Sequence, residues 1–120
     1  MKTGMTVPQI TFKYRVRDAS IGGDNPFRWQ DVTTDEIFSN KKVVVFSLPG
    51  AFTPTCSTMQ VPGFEAAYEE LKQNGVDEVY VLSVNDTFVM RKWMLDQNCT
   101  NIKFIPDGNG EFTRQMGMLV

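Results

Sequence analysis

No histidine occurs anywhere in the 120 residues. That excludes Ser-His-Asp hydrolysis, Cys-His proteolysis and most zinc or haem ligation, each of which needs an imidazole. Cysteine is nearly as scarce: Cys56 and Cys99 are the only two, and they form no CxxC pair. A zinc ribbon is excluded, and so is a thioredoxin-type dithiol, because Met59 stands where the second cysteine would be. Long hydrophobic runs are missing too. The apolar stretches reach about half a dozen residues, far short of the roughly 20 needed to span a bilayer, so no membrane partner is expected. A net charge of −2 gives no basic footprint for nucleic acid. The opening MKTGMTVPQI lacks the apolar core of a signal peptide. A cytoplasmic location is the expectation, and there cysteines are normally free thiols.

What is present suits one folded domain over residues 1–120. The chain is 42% hydrophobic, 22% charged and 12% aromatic, with no internal repeat or low-complexity segment. Ile10, Phe12, Tyr14 and Val16 alternate with polar residues, which predicts a strand with one wet face. Residues 18–28, DASIGGDNPFR, read as a loop. Thr33 or Thr34 is placed to cap a short helix running through Phe38. Lys42–Leu48 is a near-continuous apolar run and reads as a central strand covered on both faces.

A helix is expected from about Cys56 to Asn74, with Phe64, Ala67, Tyr68 and Leu71 as its buried stripe. Pro62 should kink or restart it, and Gly75 should stop it. Val79–Val84 reads as a second buried strand. Asn85 or Asp86 then caps a helix presenting Val89 and Trp93 and ending near Asn98. Ile102–Ile105 is a third strand, PDGNG at 106–110 a turn, and Glu111–Met116 a further helical turn. The alternation of strand and helix is the βαβ pattern of a parallel sheet with right-handed crossovers.

Cys56 falls where the strand ending at Leu48 gives way to the next helix. In a parallel α/β sheet, ligands sit at the carboxyl ends of strands, where helix N-termini point. Free N–H groups and the helix dipole would favour a thiolate there. Thr53 and Thr55 offer hydroxyl donors to the sulfur or to a bound oxygen, while Pro49 and Pro54 limit the loop. The sulfur would then be a nucleophile prepared without histidine. Placement alone also allows a buried, inert cysteine.

Pro49, Thr53 and Cys56 have the form P-x-x-x-T-x-x-C. Here the sequence resembles the peroxiredoxins, in which this motif carries the peroxidatic cysteine. SLPGAFTPTCS, the following VPGF, VLSVNDTFVMRKW and FIPDGNGEFTRQMGM are similar to the Prx5 group. The similarity is greatest to the bacterial hybrid form, which carries a glutaredoxin domain after the peroxiredoxin domain. It extends from about Val7 to Val120.

The resemblance implies an α/β, thioredoxin-like fold: a central, mostly parallel sheet with flanking helices, lacking the family's last strands and helix. It implies a thiol peroxidase acting on hydrogen peroxide and alkyl hydroperoxides, with no metal or organic cofactor. Cys56 would attack the peroxide, Thr53 would hold and polarise it, Pro49 would cover the sulfenate, and amides near Thr55 and Cys56 would stabilise charge. The family's catalytic arginine has no match: Arg91 and Arg114 lie in other segments, so slower turnover than in full-length relatives is expected. Glutathione with glutaredoxin is the implied reductant, thioredoxin a second option, and a homodimer the implied assembly. A truncated, weakly active redox-sensing or binding module acting through Cys56 is the alternative.

Three further groups have plainer readings. Cys99 should lie at the amino ends of the strands as a packing residue. Six strand residues span roughly 20 Å, whereas a disulfide needs Cα atoms within about 7 Å. Asp107, Asn109 and Glu111 suggest a calcium loop only superficially, and a turn is the expectation. Phe88, Met90, Trp93 and Phe52 are candidates for a subunit contact or for the core.

Overall fold

The central strand of the protein is buried on both faces and fixes the position of every other element. The computed structural model describes residue 4 and residues 6–48, 50–52 and 61–118. Chain order is β1 (Thr11–Arg17), β2 (Phe27–Thr33), α1 (Thr34–Phe38), β3 (Val43–Ser47), α2 (Val61–Gln73), β4 (Glu78–Ser83), α3 (Thr87–Asp96), β5 (Lys103–Pro106) and α4 (Glu111–Gln115). β1 and β2 form an antiparallel hairpin, and β3, β4 and β5 form a parallel sheet in the order β3-β4-β5. The expected α/β architecture with a parallel sheet and flanking helices is therefore what the chain adopts.

Strand alternation divides the core in two. Val79 and Val81 of β4 face α2 and α3, packing with Val61, Tyr68, Met90, Trp93 and Phe104. Tyr80 and Leu82 face the other way, toward Ile10, Phe12, Ile37, Ile105 and Phe112. The hairpin closes over that second face, and the Tyr14 hydroxyl donates to the Phe104 carbonyl at 3.0 Å.

The helix boundaries follow local chemistry. Thr33 caps α1 in a reciprocal capping box with Glu36. Gly75 at φ +92° ends α2 in a Schellman arrangement, with Val76 N–H donating to Leu71 O and Gly75 N–H to Lys72 O. Asp86, rather than Asn85, caps α3 by accepting from Val89 N–H at 2.9 Å. Pro62 is the second residue of the described span of α2, a position that tolerates its missing N–H. The part of the expected helix between Cys56 and Gln60 lies outside the described residues, as do Leu119 and Val120.

Three expectations need correction. Phe27 and Arg28 belong to strand β2, not to a loop. β2 lacks a clear apolar period because Phe27 and Trp29 alternate toward a wet face, where Trp29 remains 55% exposed. Among the described residues β3 is an edge strand, and β4 is the central one. Apolar runs report how a strand's faces are covered, not which strands flank it. On α3 the buried residues are Thr87, Met90 and Trp93, with Val89 only half-buried.

The difference between β3 and β4 predicts unequal sensitivity. Leu82 is 1% exposed, so Leu82→Ala should cost about 2–5 kcal/mol in urea unfolding. Val44→Ala, in half-buried β3, should cost clearly less. Equal losses would contradict the central placement of β4.

Candidate active site

The parallel register brings three strand ends together. Ser47 of β3 pairs with Leu82 of β4, and Ser83 of β4 pairs with Pro106 of β5. In the sequence, residues 48–60 connect this carboxyl-end rim to α2, and of them Leu48 and residues 50–52 are described. Pro49, Thr53, Thr55 and Cys56 all lie outside the described residues. The rim itself is well defined.

Leu48 N–H donates to Leu82 O at 3.4 Å, extending the β3–β4 ladder by one residue. Ala51 N–H then donates to the Asn85 carboxamide oxygen at 3.0 Å. The same oxygen accepts the Ser83 hydroxyl at 2.6 Å, and Ser83 is 1% exposed. Two donors converging on one atom identify it as oxygen rather than amide nitrogen. Phe52 follows at φ +63°, a left-handed conformation that costs a bulky residue on the order of 1–3 kcal/mol. Its ring lies 6.3 Å from that of Trp93. Sequence reasoning treated Asn85 only as a cap candidate and did not single out Ser83. The adjacent Asn85–Asp86 pair was the available signal: one residue caps α3, leaving the other for a different partner.

Behind the rim, Asp107 is 1% exposed and fully occupied. Its carboxylate accepts from Phe112 N–H at 3.1 Å, from Thr113 N–H at 2.8 Å and from the Thr113 hydroxyl at 2.7 Å. Gly110 N–H donates to Asp107 O, closing the turn. This turn organises α4, in keeping with the plain reading of PDGNG.

Cys99 sits at the other end of the sheet, between α3 and β5, half-buried against the α2–α3 core. Burial, the nearby Glu65 charge and a hydrogen bond to Glu65 push its thiol up to about 11. Glu65 is in turn held by Thr100, Asn101 and Ile102 N–H groups at 3.1–3.2 Å. Such a thiol is a poor nucleophile at neutral pH. Of the subunit-contact candidates, Trp93 and Met90 belong to the core at 0% and 1% exposure, whereas Phe88 is 56% exposed and packs edge-on against Trp29. Arg91 lies over the Phe27 ring, 4.5 Å from its centroid, on the outer side of the hairpin. No helix among the described residues is long and apolar enough to cross a membrane.

A parallel sheet with helices on both faces, and a cysteine-bearing segment leaving the carboxyl end of one strand, is the thioredoxin-like class of architecture. The family model described as Redoxin matches residues 2–120. The chain is 63% identical over 114 residues to a peroxiredoxin of Rhizobium etli, covering 95% of this chain and 64% of that one. It is 55% identical over 117 residues to the hybrid peroxiredoxin hyPrx5 of Haemophilus influenzae, covering 98% of this chain and 45% of that one. The structure of reduced Prx3 from Vibrio vulnificus with H2O2 superposes with a TM-score of 0.82 at 36% identity, over 98% of this chain and 68% of that one. The chain belongs to the redoxin family, among its Prx5-like peroxiredoxins. It spans less than two thirds of the length of the curated relatives it matches.

The raised Cys99 pKa sets a pH test. Below pH 9 both folded and unfolded states keep the proton, so this thiol leaves stability unchanged. Between pH 9 and about 11 the unfolded state loses its proton first, and stability should fall. Iodoacetamide labelling of Cys99, followed by peptide mass spectrometry, should be slow at pH 7 and reach half its maximum near pH 11. Labelling at pH 7 as fast as a free cysteine would contradict this burial.

Proposed function

We propose that residues 1–120 form a peroxiredoxin domain and act as a thiol-dependent peroxidase on hydrogen peroxide and small alkyl hydroperoxides. The observation that carries this is positional. The P-x-x-x-T-x-x-C segment lies between the carboxyl end of β3 and the start of α2, in a chain 55–63% identical to proteins named peroxiredoxins. The Vibrio vulnificus structure, which holds H2O2 on a similar fold, supports the choice of substrate. The comparisons give no support to the alternative of a sensing or binding module.

In this reading the Cys56 thiolate attacks the terminal peroxide oxygen. The S–O bond forms as the O–O bond breaks, and the leaving alkoxide or hydroxide takes a proton to depart as alcohol or water. Sulfur loses two electrons and becomes a sulfenic acid, while the peroxide gains them. Thr53 donates a hydrogen bond to the peroxide, amides near Thr55 and Cys56 stabilise the charge as the bond breaks, and Pro49 shields the sulfenate. A thiol then condenses with the sulfenic acid, releasing water, and a second thiol frees Cys56 as a disulfide forms between the reductants.

With Cys99 half-buried at the far end of the sheet and its thiol disfavouring charge, the reductant in this reading is external. The hybrid relative favours glutathione with glutaredoxin, and thioredoxin is the other option. The exposed Phe52, Phe88 and Trp29 are consistent with a homodimer. The cytoplasm is the proposed location.

Sub-stoichiometric hydrogen peroxide with dimedone should label Cys56 within seconds, and Thr53→Val should slow that labelling at least tenfold. Labelling of the unmutated chain no faster than a free cysteine would refute the proposal.

A further inference from the structure

Among the described residues of the rim, a side-chain hydrogen bond joins the start of the reactive segment to the β4–α3 turn across a long stretch of sequence. Ala51 is the penultimate described residue before Thr53. Its N–H is held by Asn85, which lies on the turn between β4 and α3. Asn85 is itself fixed from two sides. Its N–H donates to Ser83 O at 2.9 Å, and its carboxamide oxygen accepts the buried Ser83 hydroxyl at 2.6 Å. Ser83 O also accepts Asp107 N–H at 3.0 Å, tying β5 into the same network.

From this geometry we infer that Asn85 is a positioning residue for the peroxidatic segment. It anchors the strand-to-loop exit at Ala51, two residues before Thr53 in the sequence. The inference rests on the peroxidase reading and deepens it. A cap alone does not account for the contact, because Asp86 supplies the α3 cap. A purely local turn does not account for it either, because the Ser83–Asn85 bond would close that turn without Ala51. The left-handed Phe52 next to the anchor supports the same view. Such a conformation persists only where surrounding contacts over-determine it, and the Asn85 bond on one side and the Trp93 ring on the other supply them.

The consequence is specific to peroxide. Peroxide reduction requires Cys56, Thr53 and backbone amides in register, and misplacement by about 1 Å can cost about a hundredfold in rate. Alkylation by iodoacetamide requires only an accessible thiolate. Asn85→Ala should therefore lower the rate constant of Cys56 with hydrogen peroxide at least tenfold, while its iodoacetamide rate changes less than threefold. Asn85→Asp keeps an acceptor for both donors and should recover a substantial part of the peroxide rate. A merely structural role would slow both reagents alike, with no rescue by Asp.

Backbone hydrogen exchange at Ala51 and Phe52 supplies an independent readout and should accelerate in Asn85→Ala. An unchanged peroxide rate and unchanged exchange in Asn85→Ala would overturn the inference. If the unmutated chain is itself inert to peroxide while exchange still accelerates in Asn85→Ala, the peroxidase reading fails and the anchor stands.

Discussion

The parallel register of β4 is the constraint on which the rest of the protein depends. β4 gives two side chains to each core, Val79 and Val81 on one face and Tyr80 and Leu82 on the other. Pairing with β3 on one side and β5 on the other aligns Ser47, Ser83 and Pro106 at one end. A slip of one residue would turn both apolar sets inside out, so burial of the two cores fixes the register. The ends of the strands are thereby fixed as well, and the rim inherits the rigidity of the core.

That rigidity matters because the chemistry assigned to this rim has no histidine to draw on. A thiolate must instead be favoured by dipoles and hydrogen bonds, and these act only when oriented in advance. The two cysteines illustrate the contrast. Cys99 sits in an apolar setting beside the Glu65 carboxylate, and its thiol is pushed up to about 11. Cys56 belongs to the sequence between β3 and α2, and the proposed peroxidase requires backbone N–H groups there to favour its thiolate. The fold places Cys99 where charge is disfavoured, and the proposed chemistry requires the opposite of Cys56.

Much of this was legible in the sequence because the signals were local. The Thr33 cap, the Gly75 stop, the helical stripe of α2 and the VYVLSV strand each follow from a few neighbouring residues. The P-x-x-x-T-x-x-C spacing pointed to the family without any coordinates. What was not legible depends on lateral or long-range pairing. β2 was missed because its aromatic residues face outward, and β3 was taken as central because a run of valines does not report its flanking strands. The Asn85 contact was missed for the same reason: nothing near Asn85 in sequence signals that its carboxamide turns to Ala51. Pro49, Thr53, Thr55 and Cys56 were legible from their place between a strand and a helix and from the motif, and they lie outside the described part of the chain.

The central claim is that this end of the sheet prepares a thiolate without imidazole. The most direct test is the pH dependence of Cys56 alkylation by iodoacetamide, followed at the Cys56 peptide. The account predicts a midpoint well below the free-cysteine value of about 8.5. A midpoint at or above that value would contradict it, leaving a thioredoxin-like fold whose rim does not activate its cysteine.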